Sequence, residues 1–160
     1  MGISRTRAIV FVGTVAAIYA VLSLIPGLSV LTFGPVQLRI AEALCVLALL
    51  TPWAIPALTL GCFLTNLASP MMAVDLPFGT LATLIAVSLV YLLRKNKWVA
   101  MLMPVISNGL IIGAIISFYT DSDFGFWTNA LLVAVGEAAA CYILGIPLHK
   151  ALNRFFKEKR

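Results

Sequence analysis

Glu137 is a carboxylic acid set inside a long apolar run, which gives it the strongest claim to chemistry in this chain. It lies about ten residues into the run that begins near Phe126, roughly 15 Å along a helix and close to the midplane of a bilayer. A charge is costly at that depth, so the group must face other helices or a wet cavity, and it counts as a candidate for function. Ala134, Glu137, Ala138, Cys141 and Gly145 share one helical face, where small side chains allow close packing around the carboxylate. The expectation is contact with a ligand or ion; a protonated acid hydrogen-bonded to a neighbouring helix is the alternative.

Other polar residues fall at matching depths. Asn108 sits about as deep in the preceding run, where it either converges with Glu137 or ties two helices together. Gln37, Arg39, Glu42, Asn66 and Asn129 lie nearer the outer face, with Trp127 at the outer end of the last run. Arg39 and Glu42 are three residues apart, so on a helix they share a face and can form an ion pair, functional or structural. Together these residues describe a polar funnel open outward and ending near Glu137. If Arg39 neutralises Glu42, Glu137 remains an unpaired buried carboxylate. A cation, a coupling proton, or a heterocycle with two adjacent N–H donors, as on the guanine edge, would match it.

Catalysis finds no support. The one histidine, His149, belongs to a basic cluster at the end of the last run, and HExxH, GxSxG and GxxxxGK[ST] patterns are absent. The chain is therefore not expected to be an enzyme or to hydrolyse ATP. Cys45, Cys62 and Cys141 sit singly in apolar runs without CxxC spacing, so neither a disulfide framework nor a metal site is expected, and no cofactor is called for.

The elements that position these groups must be membrane helices. Of 160 residues, 62% are hydrophobic and 11% charged, and the mean hydropathy is +1.06. A soluble domain carries about 25% charged residues, so this surface is solvated by lipid. Six apolar runs without strand-like alternation follow one another: about Ala8–Ile25, Gln37–Leu50, Ala54–Ala68, Phe78–Leu93, Val99–Tyr119 and Phe126–Leu152. The first is long for a secretory signal and is expected to remain as a span. The second and third are short, and the apolar connection from Pro26 to Val36, broken by Pro and Gly, is expected to fold over the bundle.

Charge sets the expected orientation. Ten of the eleven cations flank the runs in short clusters, a topological pattern rather than a nucleic-acid groove. Six spans place Arg94, Lys95, Lys97 and the basic tail on the same side as Arg5 and Arg7, and the segments around Asp75, Asp121 and Asp123 on the other. The expected fold is an all-α membrane protein, residues 1–160 forming a single bundle of six transmembrane helices with both termini cytoplasmic. Gly13/Ala17 and Ala16/Ala20 are small-xxx-small pairs on the first run, suited to another helix or to internal packing.

Three stretches then resemble the QueT family of substrate-binding (S) components of energy-coupling-factor (ECF) vitamin transporters. They are Phe33-Gly-Pro-Val-Gln-Leu-Arg-Ile-Ala-Glu-Ala-Leu44, Asp75-Leu-Pro-Phe-Gly-Thr-Leu-Ala-Thr83 and Val135-Gly-Glu137. The resemblance covers essentially the whole chain. It implies a protein of the prokaryotic plasma membrane that binds its substrate from outside, under a first-loop lid, in a pocket built mainly from the later spans. The implied substrate is a 7-deazaguanine precursor of queuosine, preQ1 or preQ0. The implied partners are a transmembrane scaffold subunit and two cytoplasmic ATPases, with Ala16 and Ala20 against the scaffold. Two other classes remain open: a solitary proton- or cation-coupled carrier, and a structural subunit whose polar residues only lock helices.

Overall fold

The computed structural model describes residues 4–33, 37–120 and 124–158. Its principal elements are six helices in chain order: Arg5–Leu24, Ile40–Leu49, Ala54–Asn66, Met72–Leu92, Lys97–Tyr119 and Phe126–Arg154. The first, fourth, fifth and sixth are long and apolar enough to cross a membrane; the second and third are shorter. No strand occurs among the described residues.

Local chemistry accounts for the helix ends. Ser4 caps the first helix through its hydroxyl, which accepts from the Arg7 amide, and Asn96 caps the fifth through its side-chain oxygen, which accepts from Trp98 and Val99. The first helix stops before Pro26-Gly27, where Gly27 takes φ 91, a conformation that favours glycine. A short helix, Leu28–Thr32, follows in the connection expected to cover the bundle. Gly34, Pro35 and Val36 of that connection lie outside the described residues, as do Asp121 and Asp123.

Three helices depart from plain α geometry. The second is a ten-residue 3-10 helix, so it spans about 20 Å at the steeper 3-10 rise. The fourth starts earlier than the sequence suggested and runs through Asp75–Gly79 as a π turn. Asp75, expected in an outer loop, is instead buried in that turn, with its carboxylate accepting from the Ser69 hydroxyl. The Asn66 amide donates to the Asp75 carbonyl at 2.8 Å. A second π turn, Ala139–Gly145, begins two residues after Glu137 in the sixth helix.

The second helix packs against the first, third, fourth and sixth, and the fifth and sixth form an extensively packed pair. Close approach within that pair depends on absent side chains. A Cβ on Gly113 would meet the Ala130 Cα at 2.6 Å, and one on Gly109 would meet the Ala134 Cβ at 3.2 Å. Small residues four apart on both helices thus bring the backbones together, and van der Waals packing is the main attraction between helices in lipid. Two apolar clusters form the core, one including Tyr19, Val46, Leu58, Met101 and Cys141, the other Ala82, Ile112, Ile115 and Val133. Along the fifth helix Asn108 falls between Met101 and Ile112, and along the sixth Glu137 falls between Val133 and Cys141. A polar layer therefore separates the two apolar clusters.

Candidate substrate-binding site

The fifth–sixth pairing joins the two deepest polar residues. The Asn108 side-chain amide donates to Glu137 Oε1 at 2.8 Å, and both residues are buried. The bond uses one end of each group. Glu137 Oε2 and Asn108 Oδ1 have no hydrogen-bond partner. Three further buried side chains share this condition: Gln37 through Oε1, Arg39 through Nε and Nη2, and Asn66 through Oδ1. They enter from different places, Gln37 and Arg39 from the segment leading into the second helix and Asn66 from the last turn of the third. The Arg39 charge acts on both Glu137 and Glu42, so the cation and the two carboxylates belong to one electrostatic unit.

Buried polar groups in folded proteins are almost always paired, because an unmade hydrogen bond in an apolar setting costs about 1–3 kcal/mol. Five buried side chains carry such open atoms, and two half-buried ones, Thr59 through Oγ1 and His149 through Nδ1, do as well. The open atoms on Gln37, Asn66, Asn108 and Glu137 can accept from N–H or N⁺–H donors, and those on Arg39 can donate to an acceptor.

Glu42 plays a different part. The Tyr19 hydroxyl donates to its Oε1, and the Cys45 thiol lies 2.9 Å from its Oε2. Both carboxylate oxygens are occupied by neutral groups, and Arg39 makes no ion pair among the described residues. The expected Arg39–Glu42 pair fails for a local reason. Arg39 is the cap residue, with extended backbone at φ −86 and ψ 91, so the shared helical face assumed for residues three apart does not exist. Glu42 serves to tie the first helix to the second.

Two outer candidates stand apart from this group. Asn129 donates to the Ser117 hydroxyl at 2.9 Å and to the Phe124 carbonyl at 3.1 Å, about 12 Å along the sixth helix from Glu137. It ties the fifth and sixth helices at that end. Trp127 is 76% exposed and packs edge-on against Phe126. It points away from the bundle because the first turn of the sixth helix turns Asn129 and Ala130 inward. Its exposure sets it apart from the buried polar group.

The first helix brings a further correction. Ala16 is buried, and its carbonyl lies 3.1 Å from where a Cβ on Gly61 would stand. It therefore packs on the chain's own third helix, and Ala20 is half-buried. Of the two small-residue pairs, Gly13 and Ala17 are the exposed one. The reading from sequence also passed over Tyr19 and Thr83. Each is a hydroxyl inside an apolar run that needs a partner; Tyr19 finds Glu42, and Thr83 donates to the Cys62 sulfur. A lone hydroxyl at span depth was the available signal.

Comparisons with known proteins agree on one family. The model of the family described as QueT transporter matches residues 9–154. Among curated proteins, the Queuosine precursor transporter QueT of Lactococcus lactis subsp. cremoris (strain MG1363) is 41% identical over 90 residues, which cover 56% of this chain and 53% of that protein. The matched part spans about half the length of this curated relative. No solved structure matches the chain significantly.

Proposed function

The chain belongs to the QueT transporter family, and on that premise we propose that it is the substrate-binding subunit of an ECF-type importer, taking a 7-deazaguanine such as preQ1 or preQ0 from outside the cell. The family is one of transporters, not enzymes, and the long apolar helices fit a multi-pass protein of the cell membrane. Our reading places both termini in the cytoplasm, because the basic clusters then lie on one side. The observation that carries the substrate assignment is the set of unpartnered buried atoms on Gln37, Arg39, Asn66, Asn108 and Glu137. A 7-deazaguanine is rich in N–H donors and carries one ring carbonyl. That balance matches four acceptors and one guanidinium. The name of the Lactococcus relative points to the same class of compound.

The coupling part of the proposal rests on the sequence, which has no ATP-binding motif of its own, and on the resemblance to S components. Energy would come from two ATPases through a transmembrane scaffold. The exposed Gly13/Ala17 pair is the small-residue surface best placed for that scaffold, since Ala16 is already engaged within the chain. Binding by the purified chain, measured by thermal shift and calorimetry against preQ1, preQ0, queuine, guanine and common vitamins, tests the substrate class. A response to a vitamin but to none of the deazaguanines would overturn it. Uptake in cells with and without a coupling ATPase tests the subunit role, and equal uptake would make the chain a solitary carrier.

A further inference from the structure

Gln37 carries two unusual features at once. Among the described residues it is the one non-glycine with a positive φ, 46°, a region that glutamine rarely adopts. It is also buried, with its side-chain oxygen unpartnered. No hydrogen bond made by that side chain offsets the backbone conformation. Two residues on, Arg39 is buried with Nε and Nη2 unpartnered. These two nitrogens form one edge of the guanidinium, with parallel N–H bonds that suit a single planar acceptor group. Leu38 between them is only half-buried.

We propose that Gln37 and Arg39 are the specificity pair that reads a lactam edge of the ligand, the Arg39 edge donating to the ring carbonyl and Gln37 Oε1 accepting from the adjacent ring N–H. The left-handed backbone at Gln37 aims the pair, and ligand binding offsets its cost. This rests on the 7-deazaguanine reading above and adds an allocation to it. In a 7-deaza ring position 7 is carbon, so the two parallel Arg39 N–H groups share the C6 oxygen as their one acceptor on this edge, and N1–H falls to Gln37. Glu137 has a single open oxygen because Oε1 already accepts from Asn108. It is thus left for an amino group beyond that edge rather than for a two-point grip on N1 and the exocyclic amine.

The test uses the full chain in nanodiscs and two ligands that differ only at this edge: 7-deazaguanine, and 7-deaza-2,6-diaminopurine, in which an amine replaces the carbonyl and N1 loses its hydrogen. Wild type should prefer 7-deazaguanine by about a hundredfold or more, because the exchange opposes donor to donor and acceptor to acceptor. Gln37→Gly should melt no lower than wild type, since glycine accepts this backbone freely. It should nevertheless bind 7-deazaguanine about tenfold or more weaker and lose most of the preference. Gln37→Asn, which tolerates positive φ but shortens the reach, should fall between them. Should wild type bind 7-deazaguanine selectively while both variants keep its affinity and preference, the turn is structural and the inference fails alone. Equal binding of the two ligands by wild type overturns it as well. Wild type binding neither compound removes the deazaguanine reading, and the allocation with it.

Discussion

Replacing Glu137 with glutamine separates a ligand-reading carboxylate from a helix tie. Glutamine keeps the shape but can present only one oxygen. The Asn108 amide donates to Glu137 Oε1 at 2.8 Å, so the variant places its oxygen there to avoid opposing two N–H groups. Its own NH2 then occupies the position of the unpartnered Oε2, aimed at whatever the carboxylate would have received. A charge-assisted hydrogen bond is replaced by a clash of donors. Loss of the bond alone is worth about 1.5–3 kcal/mol, or about ten- to a hundredfold in affinity. Folding should change by less, because the helix–helix bond to Asn108 survives in neutral form. Glu137→Asp should have the converse profile. It withdraws the carboxylate by about 1.5 Å and strains the Asn108 bond, yet retains the charge and so keeps more affinity than glutamine does. Calorimetry on purified protein, with a thermal melt of each variant, reads both quantities. Unchanged affinity in the glutamine variant, with wild-type melting, would refute the reasoning and return Glu137 to a structural role.

Four other outcomes follow from the same contacts. Tyr19→Phe leaves Glu42 Oε1 buried without its donor and should lower stability by about 1–3 kcal/mol in denaturant titrations; a neutral result would mean that water replaces the hydroxyl. Gly113→Ala drives a methyl into Ala130 and should cost about 1–3 kcal/mol as the fifth and sixth helices separate, with binding weakened because Asn108 and Glu137 move apart; full binding would show that their register does not depend on this approach. Gly13→Leu with Ala17→Leu should abolish uptake while the isolated chain still binds ligand, whereas Ala16→Leu should impair folding itself, and the reverse pattern in melts and uptake assays would exchange the two faces. With the three native cysteines buried, a cysteine at Phe124 should react with an impermeant thiol reagent from outside and one at Asn96 should not; the opposite labelling would invert the topology.

The polar layer also constrains how the protein can exist in a membrane. Its unpartnered groups lie between two apolar clusters, and hydrocarbon supplies no hydrogen bonds to replace missing ones. The fold tolerates them because neighbouring polar groups are individually secured. Asn66 is fixed by its bond to the Asp75 carbonyl, Asn108 and Glu137 hold each other, and Glu42 is held by Tyr19 and Cys45. Asn66, Asn108 and Glu137 thus each have one end anchored and another open, whereas both ends of Glu42 are held. The π turns stand next to these anchors, at Asp75–Gly79 and Ala139–Gly145, and the Asp75 carbonyl in the first accepts from Asn66.

Much of the molecule was legible along the chain because hydrophobic runs report their own solvent. Apolar content, run length and the absence of enzymatic motifs determined a helical membrane protein, and the depth of Asn108 and Glu137 within their runs predicted that they would lie at one level. What sequence spacing could not decide was which partners meet across helices, or where a helix changes pitch. The Arg39–Glu42 pair was inferred from a helical face that ends at the cap, so the true donors to Glu42 came from Tyr19 and Cys45. Asp75 read as loop because Pro77 and Gly79 interrupt its run, yet a π turn carries the helix through it, with the Asn66 amide on its carbonyl. Ala16 and Ala17 are neighbours of equal size, and only the approach of Gly61 turns the first inward and leaves the second exposed. Trp127 and Asn129 likewise sit within one turn of each other with opposite fates. A single sequence records what each residue can offer; the close contacts of Gly109 and Gly113 with Ala130 and Ala134 decide which of those offers face each other.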